Sequence, residues 1–280
     1  MKGKAILTLY IVLSVAPLLL GLGYSILYSF ELIGLLNTKF TLEHWRNLFV
    51  NSDALLSFTY SFYLTGVSLV CILLMALFFS WWQIDKENKL FNSILFVPLC
   101  FSPLVAAFAF FYLLSPSGVF SRVLSQLGFI KGIDSFPRLI NDAYSIGILL
   151  AHIFLLFPLF TLLFASQIKK ERMKELLASS KTLGATNNYF FRKVFVPVLL
   201  KKSSPLVVLY GIFLFGSYEV PLLLGRSSPR TITVFITDQL TRYNLYDIPG
   251  GHAMAVIYTL LVITITTLLL QRSKNILFQS

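Results

Sequence analysis

Apolar residues gather into six long runs separated by polar stretches, at roughly 5–30, 54–82, 93–115, 144–166, 203–224 and 252–270. A helix needs about 20 mostly apolar residues to cross the hydrocarbon core of a bilayer, and each run comes close to that length. The pattern predicts an all-α polytopic membrane protein with six transmembrane helices. Met1 to Lys4 followed by apolar residues has the layout of a signal peptide, but the apolar part of such a peptide is typically about 7 to 15 residues and this run is longer. An uncleaved first span is therefore expected. Composition agrees with a bilayer as solvent: of 280 residues 56% are hydrophobic, 12% are charged and 27 are Phe, with a mean hydropathy of +0.78, too apolar for a soluble domain of this length.

The basic residues set the expected orientation. An even number of spans puts both termini on one side, which carries Lys2 and Lys4, Lys86 and Lys89, a dense cluster from Lys169 to Lys202, and Arg272 and Lys274. The opposite side has Lys39, Arg46, Arg122, Lys131, Arg138, Arg226, Arg230 and Arg242 spread over more loop residues. The positive-inside rule then makes both termini cytoplasmic. The net charge of +11 is explained by topology and headgroup attraction, and nucleic-acid binding has no support because the positives form no surface apart from the spans. Cys71 and Cys100 both fall within predicted spans and read as small buried apolar residues. His44, His152 and His252 are scattered over a loop, the fourth span and the edge of the sixth, so no zinc-type cluster is visible.

The longest inner loop, 167–202, is polar yet helix-forming. Its pattern predicts two short helices, Lys174–Leu183 and Asn187–Phe195, on either side of Gly184, where glycine permits a chain reversal that a Cβ would oppose. Leu176, Leu177, Ser180 and Leu183 stripe the first helix, and Phe190, Phe191, Val194 and Phe195 the second. Such stripes must be buried, either at lipid headgroups or in a partner's groove. Pro197 and Pro205 are read as marking re-entry toward the membrane.

This segment resembles the EAA loop of binding-protein-dependent ABC importer permeases, whose pattern runs E-A-A, three residues, G, then twelve residues and a proline, with a phenylalanine between. Ala178, Ser179 and Ser180 fall at the E-A-A positions, Gly184 and Ala185 at the glycine and its small follower, Phe191 at the phenylalanine and Pro197 at the proline. The family glutamate is replaced by Ala178, both alanines are serines, and Glu175 lies one helical turn earlier. FTLEHWRNLF, FVPLCFSPLVAAFAFFYLL and AHIFLLFPLF resemble other segments of these permeases. GSYEVPLLLG and the residues after it are similar to the branch that handles polyamines, ferric iron, thiamine or aminoethylphosphonate.

The resemblance implies a type I importer permease: residues 1–280 as one ABC transporter transmembrane domain, with 167–202 holding a cytoplasmic coupling helix. It implies a multi-pass subunit of the bacterial inner membrane that pairs with an identical or homologous permease. An extracytoplasmic binding protein would deliver the solute, and two cytoplasmic ABC ATPase subunits would grip the loop. Such a chain is a transport subunit and not an enzyme. ATP and Mg would sit on the partners, in keeping with the absence of any GxxxxGK[ST] phosphate cradle from the sequence. The solute expected is small and polar or charged, such as a polyamine.

Glu219 is the one acid placed inside the membrane by these spans, and such a carboxylate must be solvated, paired or protonated. One reading has Ser217, Tyr218 and Glu219 lining the solute path or its outer gate, with Pro221 breaking the helix. The other has Glu219 at the headgroups, paired with Arg226 or Arg230. His152 and Asp142 read as a packing histidine and a loop acid. A self-contained channel or secondary carrier remains the alternative function, although it would be expected to show repeated broken helices or paired intramembrane charges. An intramembrane hydrolase lacks a nucleophile with its base at membrane depth.

Overall fold

A computed structural model describes residues 2–34, 40–84, 89–132 and 135–277, and among these the chain is helical throughout, with no strand. Six stretches are long and apolar enough to cross a membrane: Leu9–Ser29, Ser52–Trp82, Pro103–Gln126, Ile146–Lys170, Asn187–Phe215 and Ile248–Leu268. The chain divides into two compact units, Met1–Thr59 with Thr231–Ser280, and Tyr60–Arg230.

In the first unit, α1 (Lys2–Ser29) ends before the short α2 (Glu43–Val50), which leads into the head of α3 (Ser52–Trp82). His44, expected in a loop, lies in α2, where its Nε2 is 2.7 Å from Glu31 Oε1. Trp45 Nε1 donates to Ser29 Oγ at 3.2 Å, so α2 is tied back to the end of α1. The outward side of α1 is bare, with Leu18 and Leu20 more than 70% exposed. An apolar surface of that kind is stable only in a bilayer or against another protein.

The second unit carries the rest of α3, then α4 (Lys89–Ile94), α5 (Phe96–Leu99), α6 (Pro103–Leu114), α7 (Val119–Gln126), α8 (Ile146–Lys170), α9 (Met173–Thr182), α10 (Asn187–Phe190), α11 (Val196–Phe215) and α12 (Glu219–Leu224). The first unit resumes with α13 (Ile232–Thr241) and α14 (Ile248–Leu277). Helix α8 is the spine of the second unit: Ile148, Ala151, Phe160 and Phe164 are fully buried, with α5, α6, α11 and α12 packed around it. Asp142 caps its start, its carboxylate accepting from the Ile146 amide at 2.9 Å and from the Tyr144 amide at 3.0 Å. The loop acid of the sequence reading is thus a helix cap, placed where the helix dipole favours a negative charge.

Three expectations are corrected. The third run was expected to be one helix over 93–115, but it is interrupted after α5. Ser102 caps α6, its Oγ accepting from the Val105 amide, and Pro103 opens that helix. Cys100 sits in the interruption and is exposed, not buried. The fifth run was expected as one span over 203–224, with a break at Pro221 in one reading; α11 ends at Phe215 and α12 begins at Glu219, so the break lies before Pro221, which sits inside α12. Pro221 explains the position of the break: it has no amide to donate to the Ser217 carbonyl, and its ring would clash with that carbonyl in a continuous helix.

The third correction concerns the start of the fifth span. It was expected at 203, after Pro197, but the chain is helical from Asn187 to Phe215 and both Pro197 and Pro205 lie inside that stretch. A π turn at Phe191–Phe195 ends two residues before Pro197, and the wider turn gives the proline ring room that an α-helical ladder would deny.

Candidate functional site

The loop between α8 and α11 is built on the end of α8. Glu171 forms an ion pair with Lys202 of α11, and Arg172, in the left-handed conformation with φ +51, turns the chain into α9. Met173 and Leu177 are buried and pin α9 to the unit. Its other face is open: Glu175, Leu176, Ala178, Ser179 and Leu183 are exposed, Leu183 at 87%. Glu175 is held at 3.0 Å by Arg172. Ser180 is half-buried and donates to the Leu177 carbonyl at 2.8 Å.

Gly184 ends α9 with φ +82. Its amide donates to the Lys181 carbonyl and the Ala185 amide to the Ser180 carbonyl, both at 3.0 Å. That paired arrangement is the Schellman stop, whose left-handed residue is usually glycine. Thr186 then caps α10, its side chain accepting from the Tyr189 amide at 3.2 Å. The chain reversal expected at Gly184 is present.

The aromatic stripe beyond it goes inward. Phe190 and Phe195 are buried, and the Trp81 ring lies 6.3, 5.1 and 5.0 Å from those of Phe190, Phe191 and Phe195. The second stripe is therefore covered by α3 of the same chain and is not free for a partner. The exposed large apolar side chains left on this loop are Leu176 of α9, Leu183 at its end and Tyr189 of α10. Ala185 and Phe191 are half-buried and Pro197 is exposed.

At the root of α9 a cavity of about 260 Å³ is lined by Gln83, Asn92, Lys169, Arg172, Lys174 and Glu175 among others. Gln83 Nε2 and Asn92 Oδ1 are buried there without a hydrogen-bond partner. Groups of this kind in native proteins are usually satisfied by water or a bound group.

The second candidate region is the break between α11 and α12. Gly216 and Ser217 close the last turn of α11, their amides donating to the carbonyls of Ile212 and Leu214. Ser217 is 9% exposed, Tyr218 and Glu219 are half-buried, and Pro221 is buried. Glu219 makes no ion pair with Arg226 or Arg230 among the described residues. Ser217 Oγ lies 3.2 Å from Nε2 of His152, and His152 Nδ1 lies 3.1 Å from Ser68 Oγ. Sequence reading treated His152 as packing and found neither partner, since Ser217 and Ser68 are 65 and 84 residues away.

Compared with known proteins, the chain matches no protein-family profile. Over 130 residues, 46% of its length, it is 29% identical to the probable ABC transporter permease protein y4fN of Sinorhizobium fredii, and the match spans only 21% of that relative. A chain in the crystal structure of a bacterial alginate ABC transporter, in complex with an alginate pentasaccharide-bound periplasmic protein, superposes with a TM-score of 0.70. The identity is 17%, and the match covers 98% of this chain and 94% of that one. The crystal structure of a bacterial ABC transporter involved in import of the acidic polysaccharide alginate gives 0.68 at 17% identity, with 98% and 97% covered. At such identity the likeness establishes a shared fold.

Proposed function

We propose that this chain is the membrane-spanning permease subunit of an ATP-driven, binding-protein-dependent ABC importer, forming half of a translocation pathway. The observation that carries the reading is the exposed face of α9, ended by the Schellman stop at Gly184, on a fold matched over 98% of the chain by a chain from an ABC transporter. A short helix anchored by Met173 and Leu177, with Leu176, Ala178, Ser179 and Leu183 facing out, suits a rigid contact with a separate motor. An ATPase can bias the permease only through differential contacts there.

In this reading both termini are cytoplasmic and the assembly sits in the bacterial inner membrane. Its partners are two ABC ATPase subunits that carry ATP and Mg, a second permease of identical or homologous sequence, and an extracytoplasmic binding protein. Glu175, Ala178, Ser179, Ser180, Gly184 and Ala185 form or support the ATPase contact, with Phe191 and Pro197 shaping the helix behind it. Ser217, Tyr218, Glu219 and Pro221 line the path or its outer gate. The solute is small and polar or charged. A polyamine is tested first because Glu219, a carboxylate with no ion pair among the described residues, suits a cation; alginate oligosaccharides are tested second because two fold neighbours come from alginate ABC transporters.

Affinity purification of the tagged chain from its native membrane tests the assembly. Recovery of an ABC ATPase and a second permease is expected, and a chain recovered without any ATPase would overturn the reading.

A further inference from the structure

We infer that His152 is a positioning residue that sets the geometry of the break between α11 and α12; this rests on the reading that Ser217 to Glu219 line the solute path. Two polar contacts join α3 to the start and upper part of α8: Tyr60 Oη to Ser145 Oγ at 2.6 Å, and Ser68 Oγ to His152 Nδ1 at 3.1 Å. They lie about two helical turns apart on each helix and come in the same order along both. Helices α3 and α8 therefore run parallel, held by two polar rungs.

The lower rung does not end at α8. His152 is 2% exposed, and its second ring nitrogen meets Ser217 Oγ at 3.2 Å, two residues past the end of α11. One buried imidazole thus ties α3, α8 and the interruption in the fifth span.

The chemistry is directional. A neutral imidazole has one donor and one acceptor nitrogen, so one serine hydroxyl donates to the ring while the other accepts from it. Ser68 lies within a helix, where a serine hydroxyl can turn to a carbonyl one turn back, as Ser57 and Ser203 do here. Its helix holds its place without the histidine. Ser217 lies past α11, where its amide closes on the Leu214 carbonyl, so the side-chain bond to Nε2 adds a tie from the interruption to α8, and through it His152 acts on the placement of Tyr218 and Glu219. His152 acts through Ser217 and need not touch solute.

The two amide residues separate this role from packing. A glutamine amide reaches about as far as Nε2, toward Ser217; an asparagine amide reaches only about as far as Nδ1, toward Ser68. The experiment places Tyr218→Cys in a background lacking Cys71 and Cys100. The rate of labelling by a small water-soluble thiol reagent is then measured in membranes carrying the assembly, for His152, His152→Leu, His152→Asn and His152→Gln. Leu and Asn are expected to change the rate about five-fold, the population shift that loss of one neutral hydrogen bond gives, and Gln to return it toward the wild-type rate. Folded yield is followed in parallel by size-exclusion profile, and Gln keeps the test open if Leu fails to fold. Equal rates in all four, or Asn and Gln behaving alike, would overturn the assignment. Labelling needs no transport, so a labelling shift in a chain without ATP-driven uptake would refute the importer reading and leave the positioning role standing. Uptake with invariant labelling would do the reverse.

Discussion

Replacing Gly184 by valine changes one backbone conformation without filling any space. A Cβ built at Gly184 meets nothing within 4 Å, so no steric collision contributes. The whole effect comes from φ +82, where a non-glycine residue costs about 1 to 3 kcal/mol, and a β-branched side chain belongs at the upper end. Two backbone hydrogen bonds hold the turn, from Gly184 to Lys181 and from Ala185 to Ser180, each worth a net 0.5 to 1.5 kcal/mol or about that. Strain and restraint are comparable, so the stop at the end of α9 opens in a large share of molecules. Leu183, at 87% exposure, stands directly before the turn and loses its fixed presentation. The membrane core, packed on α8, is untouched. Gly184→Val should therefore insert and purify normally yet retain less ATPase in pull-down, and show little stimulation of ATP hydrolysis by loaded binding protein. Asparagine tolerates the left-handed conformation better than alanine or valine, so the losses should rank Asn below Ala below Val. Wild-type coupling in the valine variant, or damage by asparagine equal to that by valine, would refute the reasoning.

Other outcomes follow from the same geometry. Trp81→Ala removes the ring that covers Phe190, Phe191 and Phe195; a loss of about 3 kcal/mol is expected by analogy with aromatic truncations in soluble cores, read as a lower melting midpoint in detergent. Single cysteines at Ser125 and Ser179, in a background without Cys71 and Cys100, should label from opposite sides, Ser179 only after permeabilisation; labelling of Ser179 in intact cells contradicts the orientation. Glu219→Gln should lower uptake of a cationic solute while leaving assembly and folded yield unchanged, and normal uptake by that variant removes Glu219 from the path. Ala178→Glu, on the exposed face of α9, should be tolerated and raise the amount of ATPase retained; loss of assembly would contradict that placement.

The six spans and the reversal at Gly184 were legible because each is encoded locally, by the length of an apolar run or by a glycine after a polar helical segment. The course of the second loop helix was not. Pro197 reads as a breaker in sequence, and only the π turn at Phe191–Phe195 lets the chain carry it inside a helix that runs from Asn187 to Phe215. The phenylalanine stripe was visible as a stripe, but its destination, Trp81, is a tertiary fact with no local signature. The interruption of the third run has a local signature, a capping Ser102 followed by Pro103, that a reading by apolar run length passes over. At the path region, sequence picked out Ser217 to Pro221 from a carboxylate among apolar residues. It missed the link to His152 because hydrogen bonds between separate spans leave no periodic trace, and a histidine amid leucines and phenylalanines looks the same whether it packs or positions.

Solute accumulation in proteoliposomes that contain this chain, its ATPase subunits and a second permease, with a loaded binding protein outside and ATP inside, tests the importer reading most directly. Accumulation against a gradient is predicted, and it should stop when ATP, the binding protein or the ATPase subunits are left out. Solute flux of equal size through vesicles holding this chain without any ATPase would contradict it and identify a self-contained channel or carrier instead.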